Sequence, residues 1–307
     1  MIKREGYMSR IRPFIGGDLI KVMTGIRRSG KSVMLELIKE ELLETGIRPS
    51  QFIAINFEDM RFSHLHTAEA LHDEILKRAG EIEGKVYLFF DEIQEVAGWE
   101  RCVNSLRIAL DCDIYITGSN AKLLSGELAT YLGGRYVEFV IYPFSFGEFL
   151  ELYHTIDPGS TIQQCFQKYL LAGGMPYLAN LHYEEEPSKQ YLTDLFNSVQ
   201  LKDIVKRYKV RDVDLLERII AYVMANMGTT FSASSLAKFL KSEQRTVAVE
   251  TILEAVPIAE VRRLASKFFD CRCQKSAGIL CVFQGFLAKA GGKFAVKMRA
   301  AAIGTAS

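Results

Sequence analysis

Eight residues narrow the folds open to this chain more than any other part of it: Gly25-Ile26-Arg27-Arg28-Ser29-Gly30-Lys31-Ser32, a G-x-x-x-x-G-K-[ST] run. They follow the apolar, β-branched stretch LIKVMT (19–24) and lead into residues 31–45, where Val33, Leu35, Leu37, Ile38 and Leu42 recur at helical spacing. Strand, glycine-rich loop and helix in that order set a helix N-terminus at the loop, with its unpaired N–H groups and the positive end of its dipole. Glycine at 25 and 30 lets the backbone curl around phosphate oxygens with no Cβ in the way. Residues 25 through Val33 therefore read as a phosphate cradle. Lys31 would reach the β- and γ-phosphates, and the Ser32 hydroxyl would ligate Mg2+.

Four more short apolar runs follow: FIAINF (52–57), VYLFFD (86–91), DIYITG (113–118) and YVEFVIY (136–142), with helical patterns at 66–80 and 99–110 between them. Strands alternating with helices predict an α/β fold, a parallel sheet of five strands flanked by helices. The unbroken apolar character of VYLFF and FVIY suits strands covered on both faces. After Pro143 the strand signal fades, and helices are predicted at 145–154, 161–172, 187–207, 212–227, 232–241 and 245–254. The domain boundary is expected near residue 150. The Tyr and Phe residues at 139–153 read as core packing rather than a base-stacking platform.

The strand VYLFFD runs into Asp91-Glu92. A buried strand that ends in acid needs a partner for its charge. Asp91 holding Mg2+ through water supplies one, and Glu92 can turn to orient a water at the terminal phosphate. Capping of the next helix is the plainer alternative for the pair. One strand candidate, 52–57, lies between the loop strand and the acidic strand, the arrangement of ATPases whose catalytic glutamate follows the magnesium aspartate. Hydrolysis of ATP is thus favoured over phosphoryl transfer to a second substrate. ITGSN ends in Ser119 and Asn120, either of which could bond the γ-phosphate or the water; capping of the following helix is an equal reading. Arg135, in LGGR before the fifth strand, reads either as an arginine finger for a neighbouring subunit's nucleotide or as a surface arginine in a local ion pair.

Composition bounds the partners. A formal net charge of +1 on 307 residues gives no global argument for nucleic acid or membrane. The charge is unevenly placed: no acid follows Asp270 while six basic residues do, so the tail is +6 and residues 1–270 are −5. Six cysteines show neither a paired framework nor zinc-knuckle spacing, which fits free thiols in a reducing compartment. The charged N-terminus carries no signal-peptide run, and no stretch approaches the roughly 18 apolar residues of a membrane span, so a cytoplasmic location is expected.

Taken in order, GIRRSGKS, Asn56-Phe57-Glu58-Asp59, FFDEIQ, ITGSNAKLLS, GGR, Tyr142-Pro143-Phe144-Ser145-Phe146-Gly147-Glu148-Phe149 and Gly173-Gly174-Met175-Pro176 resemble a family. It is that of the bacterial and archaeal AAA+ superfamily ATPases whose C-terminal half is a domain of unknown function, and the resemblance spans roughly 10–253. It implies ATP hydrolysis with Mg2+, a helical lid over about 151–254 and a winged-helix-like segment. It also implies that Asn56 sits beside the acidic strand, holding Glu92 off until a partner binds. Residues 231–247 fit a helix, a turn and a second helix, which would bring Lys241 and Arg245 near DNA phosphates; a purely structural helix pair is the alternative. After about Leu253 the sequence turns rich in Ala, Gly, Lys and Cys and departs from the family, as a shifted frame or truncated gene would make it, so 255–307 are expected to be poorly ordered. Two functions follow: an AAA+ ATPase, forming oligomers and coupling hydrolysis to a protein or DNA partner, or a nucleotide-gated binding switch with little turnover. Kinase-like transfer lacks an acceptor signature.

Overall fold

A computed structural model of the chain describes residues 2–119, 132–196, 212–225 and 233–242. Two compact units meet in sequence at Pro143 and Phe144. The first unit is built on five strands, β1 (Ile20–Gly25), β2 (Phe52–Asn56), β3 (Val86–Asp91), β4 (Cys112–Ser119) and β5 (Tyr136–Val140). All pair in parallel, in the order β2-β3-β4-β1-β5. The strand inserted in space between the loop strand β1 and the acidic strand β3 is therefore β4. Residues 52–57, expected in that place, form the outer strand β2 instead. Chain order does not fix sheet order, because a crossover helix can carry the chain past one strand position or several.

Every residue of β3 is buried, as its unbroken apolar run predicts, and so is every residue of β1 despite its Lys21 and Thr24. β5, where FVIY is expected to be covered on both faces, is buried only at Phe139 because it is an edge strand of the sheet. Successive side chains alternate between faces, and each face meets its own helices. On one face Ile20, Val22, Leu88, Phe90, Ile114 and Ile116 pack with Leu71 and Ile75 of α3 (Ala68–Ala79) and Val103 and Leu106 of α4 (Trp99–Ala109). On the other, Met23, Phe89, Tyr115 and Phe139 pack with Met8 and Ile11 of α1 (Glu5–Ile11) and Met34, Leu35 and Ile38 of α2 (Lys31–Glu44). Phe89 and Tyr115 stack at 4.9 Å across β3 and β4. Side chains of this size contribute about 1.5–3 kcal/mol each on full burial, so the two layers carry the unit.

α1 was not legible in the sequence; its anchor is Arg4, whose guanidinium is buried and donates to the carbonyls of Ser29 (3.1 Å) and Tyr142 (2.8 Å). A second buried cation, Lys21, pairs with Asp113 near the N-terminal ends of β1 and β4, and the same carboxylate accepts from Gly16 N–H and Tyr115 hydroxyl, each at 2.7 Å.

The described part of the second unit is helical: α5 (Phe146–Ile156), α6 (Ile162–Ala172), α7 (Glu185–Leu195), α8 (Val213–Ala225) and α9 (Ala233–Ser242). Capping boxes start two of them, Ser145 with Glu148 for α5 and Thr161 with Gln164 for α6. Phe149 is fully buried and lies 4.9–5.2 Å from the rings of Tyr153, Tyr169 and Tyr183, so this aromatic cluster is core. Gly174 lets two backbones meet: a Cβ there would stand 2.1 Å from the Phe144 carbonyl oxygen, and Phe144 N–H donates to Gly174 at 2.7 Å. The expected helix pair at 231–247 is seen as α9 alone, with Lys241 exposed; Arg245, the second helix and the tail 255–307 lie outside the described residues. Among the described residues no helix is long and apolar enough to cross a membrane.

Candidate nucleotide site

The C-terminal edge of the sheet gathers the loop residues 25–33, Asp91, Glu92 and the end of β4 at Ser119. β1 ends at Gly25, whose φ is 154° and whose added Cβ would stand 2.2 Å from the Ile141 carbonyl oxygen, so the loop leaves the sheet where only glycine fits. The loop then curls: Ser29 N–H donates to Ile26 carbonyl at 3.2 Å, Arg28 has φ 64°, and Gly30 at φ 98° caps α2 with no side-chain bond. That leaves the first turn of α2 to receive an anion through backbone N–H groups. Ser32 and Val33 are exposed in that turn, and Arg27 and Arg28 are exposed on the loop, with Arg27 paired to Glu58 at 3.0 Å. The buried Ser29 hydroxyl has no hydrogen-bond partner.

Lys31 points back over the loop, 3.4 Å from Gly25 carbonyl and 3.3 Å from Ile26 carbonyl, and 3.7 Å from a Glu92 carboxylate oxygen. Burial pushes its ammonium below the usual lysine value, and the nearby Glu92 and Asp91 oppose that shift. Glu92 itself sits in the left-handed region, at φ 54° and ψ 47°, and its second oxygen accepts from the Gln94 amide. This turn sends its side chain toward Lys31.

Asp91 is buried and held from both neighbouring strands. Asn56, its register partner on β2, donates to Oδ2 at 3.1 Å, and Thr117 on β4 donates to Oδ1. Asn56 therefore engages Asp91 rather than Glu92, against the expectation, because a residue paired in register projects its side chain beside its partner's. Lys31, at the start of α2, and the acidic pair share one edge of the sheet, and the strands that lead to them, β1 and β3, are separated by β4 rather than adjacent.

Ser119 ends β4 with its Cα paired to Gly25, beside the start of the loop, while Asn120 lies outside the described residues. Arg135 is at the other end of the molecule's sheet: its carbonyl accepts from Ile20 N–H where β1 begins, and its exposed side chain reaches Asn104 Oδ1 at 3.3 Å. A strand rises about 3.3 Å per residue, so the length of β1 separates Arg135 from its own loop. Thr117, Arg4 and Gln94 were missed in the sequence. No pattern marks them, since each acts through a partner far along the chain or through a local turn.

The donor set suits a magnesium triphosphate. One buried carboxylate and one hydroxyl offer the hard oxygen ligands this ion takes, and Mg2+ is ordinarily held by one or two protein oxygens together with phosphates. Among the described residues no group of three or more His, Cys, Asp or Glu could hold a metal ion.

A parallel sheet in this order, with the phosphate loop following β1 beside the central strand β4 and an acidic pair two strands away on β3, is the P-loop NTPase fold of the AAA+ type. Residues 18–150 match the family described as AAA domain and residues 163–269 the family described as domain of unknown function (DUF8612), so the chain is an AAA domain joined to a DUF8612 domain. The second match runs past Leu253 to residue 269, just before the change in charge at Asp270, so the departure from the family expected after Leu253 does not begin there. An uncharacterized protein of Haemophilus influenzae is 37% identical over 261 residues, covering 85% of this chain and 64% of that protein. An uncharacterized protein of Methanocaldococcus jannaschii is 32% identical over 245 residues, covering 76% and 52%. The chain thus spans about half to two thirds of the length of these relatives. Among solved structures, AMPPCP-bound DnaA from Aquifex aeolicus is similar over 94% of each chain at 15% identity and TM-score 0.35. A Thermotoga maritima RuvB variant is similar over 86% of each chain at 15% identity and TM-score 0.41.

Proposed function

We propose that the chain binds ATP with Mg2+ and hydrolyses it, coupling turnover to a protein or DNA partner through its C-terminal domain. The observation that supports this is the meeting of Lys31 and Glu92, 3.7 Å apart, beside Asp91 at the mouth of the loop. Backbone N–H groups of residues 25–33 cradle the phosphates. Lys31 gives up its contact with Glu92 to take the β- and γ-phosphates, which frees Glu92 to hold a water in line with the terminal phosphorus. Ser32 and Asp91 would hold the magnesium ion, which when bound would supply positive charge against that of the phosphates. Ser119 or Asn120 bonds the γ-phosphate or the water. Arg135, remote from its own loop, serves the nucleotide of another copy in a homo-oligomer. The second reading, a nucleotide-gated switch with little turnover, is disfavoured by Glu92, since a switch needs no carboxylate to orient water.

Phosphate release by the purified chain, alone and with DNA, discriminates the two. Lys31→Ala is expected to lose nucleotide binding, and Glu92→Gln to keep binding while hydrolysis falls about 10²–10⁴-fold. Wild-type turnover that survives both substitutions rejects the site.

A further inference from the structure

We propose that the buried hydroxyl of Thr117 is a positioning group that ties the carboxylate of Asp91 to the backbone setting of Glu92. This rests on the ATPase reading above and adds to it a residue that touches neither nucleotide nor metal. Thr117 lies on β4, the strand between the loop strand and the acidic strand, and is fully buried. The β3–β4 pairing runs through Phe90↔Ile116, and one step further brings Thr117 beside Asp91. There a single oxygen makes two bonds: it donates to Asp91 Oδ1, and it accepts from the Glu92 N–H at 3.0 Å.

The direction of both bonds is fixed by chemistry. An ionised carboxylate only accepts, so the hydroxyl proton must go to Asp91; an amide N–H only donates, so a hydroxyl lone pair must receive it. Asn56 on β2 holds the other Asp91 oxygen, which leaves the carboxylate gripped from both sides and its plane set. On the Glu92 side, the bond fastens a non-glycine residue in the left-handed region, a setting that a glutamate adopts only where surrounding contacts impose it. That setting directs the Glu92 carboxylate at Lys31. The aspartate assigned to the metal and the glutamate assigned to the water are thereby coupled through one side chain, and a shift of the Asp91 carboxylate is passed to the Glu92 backbone.

The test uses the full chain with Thr117→Val, which keeps the branched shape and removes the hydroxyl, and Thr117→Ser, which keeps it. Affinity for a fluorescent ATP analogue is measured in EDTA and across a Mg2+ titration, with phosphate release and backbone hydrogen exchange of a peptide spanning Phe90–Gln94 in the absence of nucleotide. Thr117→Val is expected to bind the analogue in EDTA within about 2-fold of wild type, to need about tenfold more Mg2+ for half-maximal tightening, and to lose about 10–100-fold in phosphate release, the range found when partners of metal-binding groups are removed. Exchange across Phe90–Gln94 should quicken in the valine variant and return to the wild-type rate in the serine variant, together with the Mg2+ requirement. Should the valine variant fail to fold, Thr117→Cys, similar in size with only a weak donor, replaces it. A valine variant with wild-type Mg2+ dependence and exchange overturns the assignment, as does a serine variant that fails as valine does, while the ATPase reading stands. Wild-type protein that binds no nucleotide with or without Mg2+ overturns both.

Discussion

Replacing Asp113 by alanine should destabilise the first unit by several kilocalories per mole. Both side chains of the Lys21–Asp113 pair are 0% exposed. Asp113 also accepts from Gly16 N–H and Tyr115 hydroxyl, and Lys21 donates to Gly17 carbonyl at 3.0 Å. Burial pushes the Lys21 ammonium below the usual lysine value, with Asp113 pulling it back up. Removing the carboxylate leaves a buried ammonium with one carbonyl and the Tyr115 ring, 5.2 Å from its centroid, and leaves two donors unpaired. Breaking a buried pair on one side costs about 3–5 kcal/mol, a large part of the roughly 5–15 kcal/mol by which domains are stable. Urea unfolding followed by tryptophan fluorescence of Trp99, the chain's one tryptophan, should show a midpoint lowered by about 1 M or more. The double variant Lys21→Met with Asp113→Leu should recover the part due to the stranded charge. In the alanine variant the folded Lys21 sheds its proton at a pH where the unfolded lysine still holds one. The unfolded state then binds more protons, so stability rises with pH and the deficit against wild type narrows from pH 7 to 10. A loss below about 1 kcal/mol, or a deficit that widens with pH, refutes the reasoning. The consequence reaches the nucleotide site, because the same β1–β4 register places Thr117 and Ser119 at the far end.

Gly25→Ala should cost about 1–3 kcal/mol and weaken nucleotide binding, since the new Cβ meets the Ile141 carbonyl at 2.2 Å; Gly6→Ala, with nothing within 4 Å, is the control that should leave both unharmed. Thermal melts with and without nucleotide compare them, and a silent Gly25→Ala contradicts the close approach. Burial pushes the Cys102 thiol up to about 12 and Cys112 up to about 11, so peptide-resolved alkylation at pH 8 should spare both in native protein and modify both in urea. Above about pH 9 the thiols of the unfolded chain ionise while the buried ones stay neutral, so stability falls as pH climbs from there through the folded values. Arg135→Ala should change stability by less than about 0.5 kcal/mol and leave nucleotide affinity intact. Phosphate release should fall and lose its dependence on protein concentration; wild-type turnover at high concentration would dismiss the finger.

Sequence alone determined the parts that are local. Strand and helix periods, and the loop that needs glycine at 25 and 30 with lysine and serine after them, are written in consecutive residues, so β1, α2 and the acidic end of β3 fall where the pattern places them. Sheet order is not local, and only the tertiary structure put β4 between β1 and β3 and moved β2 to the edge. The same crossing of strands decided that Asn56 grips Asp91, that Thr117 serves two residues at once, and that Arg4 reaches the phosphate loop from 25 residues away. A hydrogen bond depends on which side chains become neighbours across strands, and neighbours of that kind leave no period in the sequence to read.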